Sequence, residues 1–276
     1  MLLTIDSTFK RAIFIVIVIA ISTVFAFTAF IYLPNLNQQV LTAYLIILEI
    51  IVLLTFFFYR DHTPSRYIYV KRLKNPRLQE NAFEISGLLL KEFDYIRDIS
   101  IQVMNDRQNM SNHYLSITGA IVGATVLAFL INGASLFSPQ AFTIIMAVSL
   151  IINIAGWIYF MQNIRLRQAV IDGNIAMNQI KEFFIINGRV PDDIARSAFL
   201  WDTKTPPEAG KKNNAFFYSG ILISLISALV ILFASWVITP YFRSGGISTF
   251  TLCIALYHFI FQTICYSLFL DYKSIH

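Results

Sequence analysis

The chain has 276 residues, 57% of them hydrophobic and only 13% charged, with a mean hydropathy of +0.64 and a net charge of +5. Soluble domains carry about 25% charged residues, so half that share leaves too little polar surface for a water-soluble globule, and lipid is the expected solvent. The basic excess does not indicate nucleic acid, because no aromatic and basic residues interleave in the way such binding needs; topology and anionic headgroups account for it.

The apolar residues fall into six runs: Ala12–Leu33, Val40–Tyr59, Tyr114–Leu130, Ala141–Met161, Phe216–Ile238 and Ile247–Leu270. A spanning helix needs about 20 apolar residues, and backbone in lipid must satisfy its own hydrogen bonds, so each run reads as a transmembrane helix. The expected fold is an all-α integral membrane protein of six spans in three hairpins, the central hairpin extended into a cytoplasmic helical stalk. Of 21 Lys and Arg, only Arg243 lies outside the termini and the two long loops, and the turns Pro34–Gln39 and Asn132–Gln140 carry no charge. The positive-inside rule then places both termini and both long loops in the cytoplasm, as in a multi-pass bacterial inner-membrane protein.

Residues 1–60 form the first hairpin. Lys10 and Arg11 before an apolar stretch imitate a signal peptide, but the stretch is too long for one and lacks a small-x-small cleavage site, so it reads as an uncleaved span. Pro34 stops it, and the second span closes on Phe56, Phe57, Phe58, Tyr59 and a snorkelling Arg60. Residues 61–77 are a basic linker in which Arg66, Lys71, Arg72, Lys74 and Arg77 alternate with Tyr67, Ile68, Tyr69 and Val70. It suits either a segment lying on the inner leaflet or a solvated basic loop.

Residues 78–189 are the central hairpin. Ile85, Leu89, Phe93, Ile96, Ile99 and Val103 recur at spacings of three and four, the period of one apolar helix face. Continued, that seam lands on Asp106 and Met110. In the span that follows, Gly119 and Gly123 form a GxxxG flanked by Ser116, Ala120, Ala124 and Ala128, a row of small residues suited to close helix packing within the chain or between subunits. The fourth span carries Asn153 and continues through Arg165, Arg167, Asp172 and Lys181 to Gly188, a helix stop. A short outer turn makes the two long helices antiparallel, which brings Asp106 and Arg107 near Arg165, Gln168 and Asp172. These charges either couple stalk to bundle or form an ion pair that fixes register. Residues 190–214 hold a short helix opened by Pro191, Asp192 and Asp193 and a linker with Thr205, Pro206, Pro207 and Gly210. Residues 215–276 are the third hairpin. Its cysteines, Cys253 and Cys265, lie 12 apart on one helix, too far for a disulfide, and read as packing residues.

Glu49 is the one carboxylate inside a span, where a charge costs about 2.5–3.5 kcal/mol on insertion scales. His258 and Gln262 sit one turn apart in the sixth span, and Asn153 lies at similar depth in the fourth. Glu49, Asn153, His258 and Gln262 therefore either line a polar path for protons or ions, with a Glu49–His258 contact possible, or Glu49 is neutral and bonded to Asn153 or a hydroxyl for helix association. No GxSxG, HExxH, Walker loop or GxGxxG is present, and His62, His113, His258 and His276 are scattered, so neither an enzyme, a metal site nor a cofactor is expected. Asn109-Met110-Ser111 matches a glycosylation sequon by chance, given its cytoplasmic side.

The stretch Asn105–Thr118, in which Asp106-Arg107 and Asn109 precede Tyr114-Leu115-Ser116, is similar to the entry into the first span of small bacterial inner-membrane proteins of the RipA type. Trp157 through Arg165 and Arg167 into Ala169–Ile180 looks like their second span with its basic continuation. Two-span effector modules of bacterial nucleotide-signalling defence systems share this layout. The resemblance covers about residues 94–184 and implies a ring-forming oligomer with a cytoplasmic helical stalk and no catalytic residues.

The expected function is thus a non-enzymatic homo-oligomer that forms or gates a polar path, its stalk binding a cytoplasmic protein or small ligand. A proton-coupled small-solute carrier centred on Glu49 and His258 is the second class; the absence of a mid-span Gly/Pro break counts against it. A structural or immunity-type membrane partner is the third.

Overall fold

A computed structural model describes residues 82–131, 139–187, 213–238 and 249–270. All secondary structure in these segments is helical: α1 (Ala82–Ile131), α2 (Pro139–Asn187), α3 (Ala215–Ile238) and α4 (Thr249–Phe269). The first two expected spans, with Glu49, and the linkers 61–77 and 190–212 lie outside the described residues. Three helices, α1, α2 and α3, contain stretches long and apolar enough to cross a membrane, and α4 carries a shorter apolar stretch, Leu252–Ser267. These helices are compatible with a membrane protein and point to a membrane location.

The chain divides into two compact units. The first contains, among the described residues, 110–131, 139–163, 213–238 and 249–270. Its helix directions follow from side-chain pairs. Asn163 on α2 reaches Phe216 on α3, and Gly156 lies against Ser227, so α2 and α3 run antiparallel. Trp157 stacks near Phe261 and Phe160 meets Tyr266 edge-on, so α2 and α4 run parallel. Helices α3 and α4 pack against each other. Tyr114 on α1 packs on Tyr159 of α2, with ring centroids 5.4 Å apart. Much of the apolar stretch of α2 and of α3 is buried inside the chain, whereas that of α1 is almost wholly exposed.

Glycine decides the closest approach. A Cβ added at Gly220 would lie 3.4 Å from Asn163 Nδ2 and 3.4 Å from Tyr266 Cδ2. Those distances are at the edge of ordinary van der Waals contact, so the small residue brings α2 and α4 both close to the first turns of α3, while Gly156 is the tighter point. The serines along α3 return their hydroxyl hydrogens to their own helix: Ser219 donates to Ala215 O and Ser224 to Gly220 O, both at 2.9 Å, and Ser235 to Leu232 O at 3.0 Å. Such back-bonding satisfies a hydroxyl inside an apolar environment. At the start of α3, Asn214 Oδ1 accepts the backbone N–H of Phe217 at 2.9 Å, an N-cap.

The second unit contains, among the described residues, 82–109 and 164–187. Gly173 of α2 faces Ser100 Oγ and Ile96 Cγ2 of α1, a site where a Cβ would approach them at 3.1 and 3.4 Å. Ile96 and Val103 are buried, with Ser100 and Arg107 half-buried between and after them. The seam of α1 therefore repeats every seven residues, a spacing suited to two helices in sustained side-by-side contact. This corrects the expected phase at its end. Asp106 is exposed, and Arg107 takes the seam position. The reason is physical: a carboxylate on a short stem keeps its water, while arginine can lay its aliphatic stem along an apolar seam.

Candidate functional site

The three-helix part of the first unit buries an unusual number of polar side chains for an apolar bundle. Asn153, Asn163, Ser149, Ser219, Ser224, Ser227, Ser235, His258 and Gln262 are all buried. Their levels along the helices follow from the point where Gly220, Asn163 and Tyr266 meet. At about 1.5 Å per residue, Ser224 on α3 and Gln262 on α4 each lie about 6 Å from that point. Ser227 and Gly156 lie about 10.5 Å from it and His258 about 12 Å. Asn153 stands one turn before Trp157, as Tyr257 and His258 stand about one turn before Phe261, the ring on which Trp157 stacks. The polar residues thus form successive layers: Asn163, then Ser224 with Gln262, then Ser227 with His258, then Asn153 about 15 Å from that point.

Each layer carries atoms with hydrogen-bonding capacity to spare. Asn163 donates from Nδ2 to the Phe216 carbonyl oxygen at 2.7 Å, while its Oδ1 has no partner among the described residues. Gln262 Oε1 and His258 Nε2 are likewise buried with no partner there. Asn153 donates from Nδ2 to Ser149 O at 2.9 Å. A Cβ placed on Gly156 would stand 2.6 Å from Ser227 Oγ and 2.9 Å from the Tyr114 hydroxyl oxygen. The two hydroxyls are therefore no more than 5.5 Å apart, close enough for a direct contact or one bridging water, although no bond of good geometry joins them. A buried polar atom without a partner costs about 1–3 kcal/mol. Several at matched levels is a pattern that simple helix packing does not favour.

Of the residues singled out in the sequence, Asn153, His258 and Gln262 are all buried in this one unit, on two parallel helices, with Asn153 about 3 Å further than His258 from the Gly220 meeting point. Glu49 lies outside the described residues. Ser224, Ser227, Asn163 and Tyr114 were not anticipated. Their signal was the spacing Gly220, Ser224, Ser227, Ser235 along one face of α3, with steps of four, three and eight residues.

The expected packing pair, placed either within the chain or between subunits, lies on α1. Gly119 and Gly123 are exposed, and nothing lies within 4 Å of the Cβ position of either. Among the described residues they support no helix contact within the chain. In the second unit, Arg167 is buried, Arg165 exposed and Arg107 half-buried. Extending the Ser100–Gly173 contact along two antiparallel helices puts Arg107 level with 165–167. Arg107, Arg165, Arg167, Gln168 and Asp172 all have interaction partners. At the exposed end of α1, Arg97 pairs with Asp94 at 3.0 Å and Asp98 at 3.2 Å; such surface pairs contribute little.

Cys253 and Cys265 are both free thiols. Among the described residues no group of three or more His, Cys, Asp or Glu could hold a metal ion. No protein-family model matches the chain, and neither a curated protein nor a solved structure is similar to it.

Proposed function

We propose that this chain is a non-enzymatic membrane protein whose helix bundle carries a polar path for protons or small ions. The observation that supports it most is the level match of Ser224 with Gln262 and of Ser227 with His258, each layer keeping a buried atom without a partner among the described residues. Lipid gives no reason to accumulate such groups, since intramembrane polar residues are costly and cluster where they serve a pathway. In this reading all six apolar runs cross the bilayer with both termini in the cytoplasm, and Glu49 adds a carboxyl group to the same path.

The long helices support a stalk. α1 has 50 residues and α2 has 49. A helix of that size is about 75 Å long, while the hydrocarbon core takes about 30 Å. The polar portions, with Arg107, Arg165 and Arg167, then lie in the cytoplasm and sense or bind a partner. The unfilled face around Gly119 and Gly123 supports assembly of several copies, as the layout shared with RipA-type proteins also implies.

Reconstitution tests the path. Purified chain in liposomes is expected to pass protons or potassium above the empty-vesicle rate, and His258→Ala with Gln262→Leu to abolish the excess. A folded wild-type chain with no flux of either ion, or a double variant with full flux, would overturn the reading. His258, buried on α4, also keeps the carrier reading in view; that alternative demands uphill accumulation of a solute driven by a pH gradient, which a simple path does not give.

A further inference from the structure

Beyond Asn153, about 15 Å along α2 from the point where Gly220, Asn163 and Tyr266 meet, the polar succession stops. On α3 Gly220, Ser224, Ser227, Ile231 and Ser235 follow one another along one buried face, with Ile231 the apolar member of that row and the equally buried Ile223 beside Ser224. From the meeting point of Gly220, Asn163 and Tyr266, Ile231 lies about 16.5 Å along α3, Ile152 about 16.5 Å along α2 and Ile254 about 18 Å along α4. All three are almost fully buried, with relative exposures of 0%, 2% and 1% respectively. The next polar residues, Ser149 and Ser235, follow about 21 Å and about 22.5 Å from the same point, and both are buried. Polar layers thus stand on either side of one level at which each helix contributes an isoleucine.

We propose that Ile152, Ile231 and Ile254 form a hydrophobic collar that closes the polar path to water. The inference rests on the path reading above and adds its point of control. Three β-branched side chains offer no hydrogen bond to water or to a dehydrated ion at this level. A constriction of this kind blocks conduction by dewetting rather than by a charged barrier. Ile231 sits one turn from Ser227 and Ile254 one turn from His258, so an axial slide of α3 or α4 by one turn, about 6 Å, would exchange isoleucine for hydroxyl or imidazole in the same space.

The test compares Ile231→Thr and Ile254→Thr with Ile231→Val and Ile254→Val in full-length chain. The protein is reconstituted in liposomes holding a pH-sensitive dye, and proton entry is followed under a potassium diffusion potential; potassium release is measured in parallel. Threonine and valine both shorten the side chain, but only threonine brings a hydroxyl. The threonine variants are expected to raise flux at least tenfold over wild type and the valine variants to stay within twofold of it. Leu229→Thr, on the exposed side of α3, serves as the control and should match wild type. Ile152→Thr provides a further position should one of the others fail to purify as a monodisperse species.

Wild-type-like flux in folded threonine variants, alongside a wild-type flux that His258→Ala abolishes, overturns the collar and leaves the path standing. Absence of flux from the wild type and from every folded variant overturns both. Equal increases for valine and threonine overturn the collar, since they would trace conduction to a cavity rather than to wetting.

Discussion

Asn163 of α2 donates its amide hydrogen to the carbonyl oxygen of Phe216, 53 residues further along the chain, at 2.7 Å. Both groups lie where Gly220 lets α2, α3 and α4 converge. The bond joins a buried side chain to the first turn of α3, so it fixes the vertical register between the two helices at that level.

Removing that donor should be costly. Asn163→Leu is expected to destabilise the bundle by about 1–3 kcal/mol, since the hydrogen bond is lost and a larger side chain enters a closed site. Thermal unfolding in detergent, followed by tryptophan fluorescence, measures it; a melting curve identical to wild type would show that the bond fixes nothing.

Gly156 is the second tight point. Gly156→Ala would bring a methyl group within 2.6 Å of Ser227 Oγ and 2.9 Å of the Tyr114 oxygen. Overpacking of this kind costs about 1–3 kcal/mol, against roughly 1 kcal/mol gained in helix propensity. The double variant Gly156→Ala with Ser227→Ala should recover most of the loss, and the coupling between the two is the quantity to measure.

Gln262 separates stability from function. Its Oε1 is buried without a partner among the described residues. Replacing an unsatisfied polar group with an apolar one of similar size is neutral or stabilising. Gln262→Met is therefore expected to melt no lower than wild type while reducing flux in liposomes. A large drop in melting temperature would mean that the amide serves packing alone.

Gly119 and Gly123 give the opposite expectation to Gly156. With nothing near their Cβ positions, Gly119→Ala and Gly123→Ala should leave the fold of one chain intact, or stabilise it by about 0.5–1 kcal/mol each. Gly119→Leu with Gly123→Leu should instead reduce self-association, read by light scattering in detergent. An unchanged mass distribution would remove this face from the assembly.

The helices themselves were legible because hydropathy is a one-dimensional property: the apolar runs Tyr114–Leu130, Ala141–Met161, Phe216–Ile238 and Ile247–Leu270 fall within α1 to α4, apart from a residue or two at the ends of α4. The phase of the α1 seam was half legible. Ile96, Val103 and Met110 are buried as their spacing requires, but the choice between Asp106 and Arg107 depends on stem length and hydration, which periodicity ignores. The serine row of α3 escaped notice for another reason. A serine that returns its proton to its own backbone scarcely interrupts an apolar run, so Ser224 and Ser227 read as neutral filler. Their alignment with Gln262 and His258 depends on how far each helix is shifted against the next, and that shift is set by Gly220 and Asn163 through space rather than along the chain.

The back-bonded serines leave a sign on the interior. With Ser224's hydroxyl hydrogen turned to Gly220 O and one of Asn163's two amide hydrogens to Phe216 O, the Ser224 oxygen and the Asn163 Oδ1, which has no partner among the described residues, keep lone pairs to offer a cation on the proposed path. Oxygen lone pairs welcome protons and alkali cations and repel chloride or phosphate, so the permeant charge is expected to be positive; a chloride current through the reconstituted chain would contradict it.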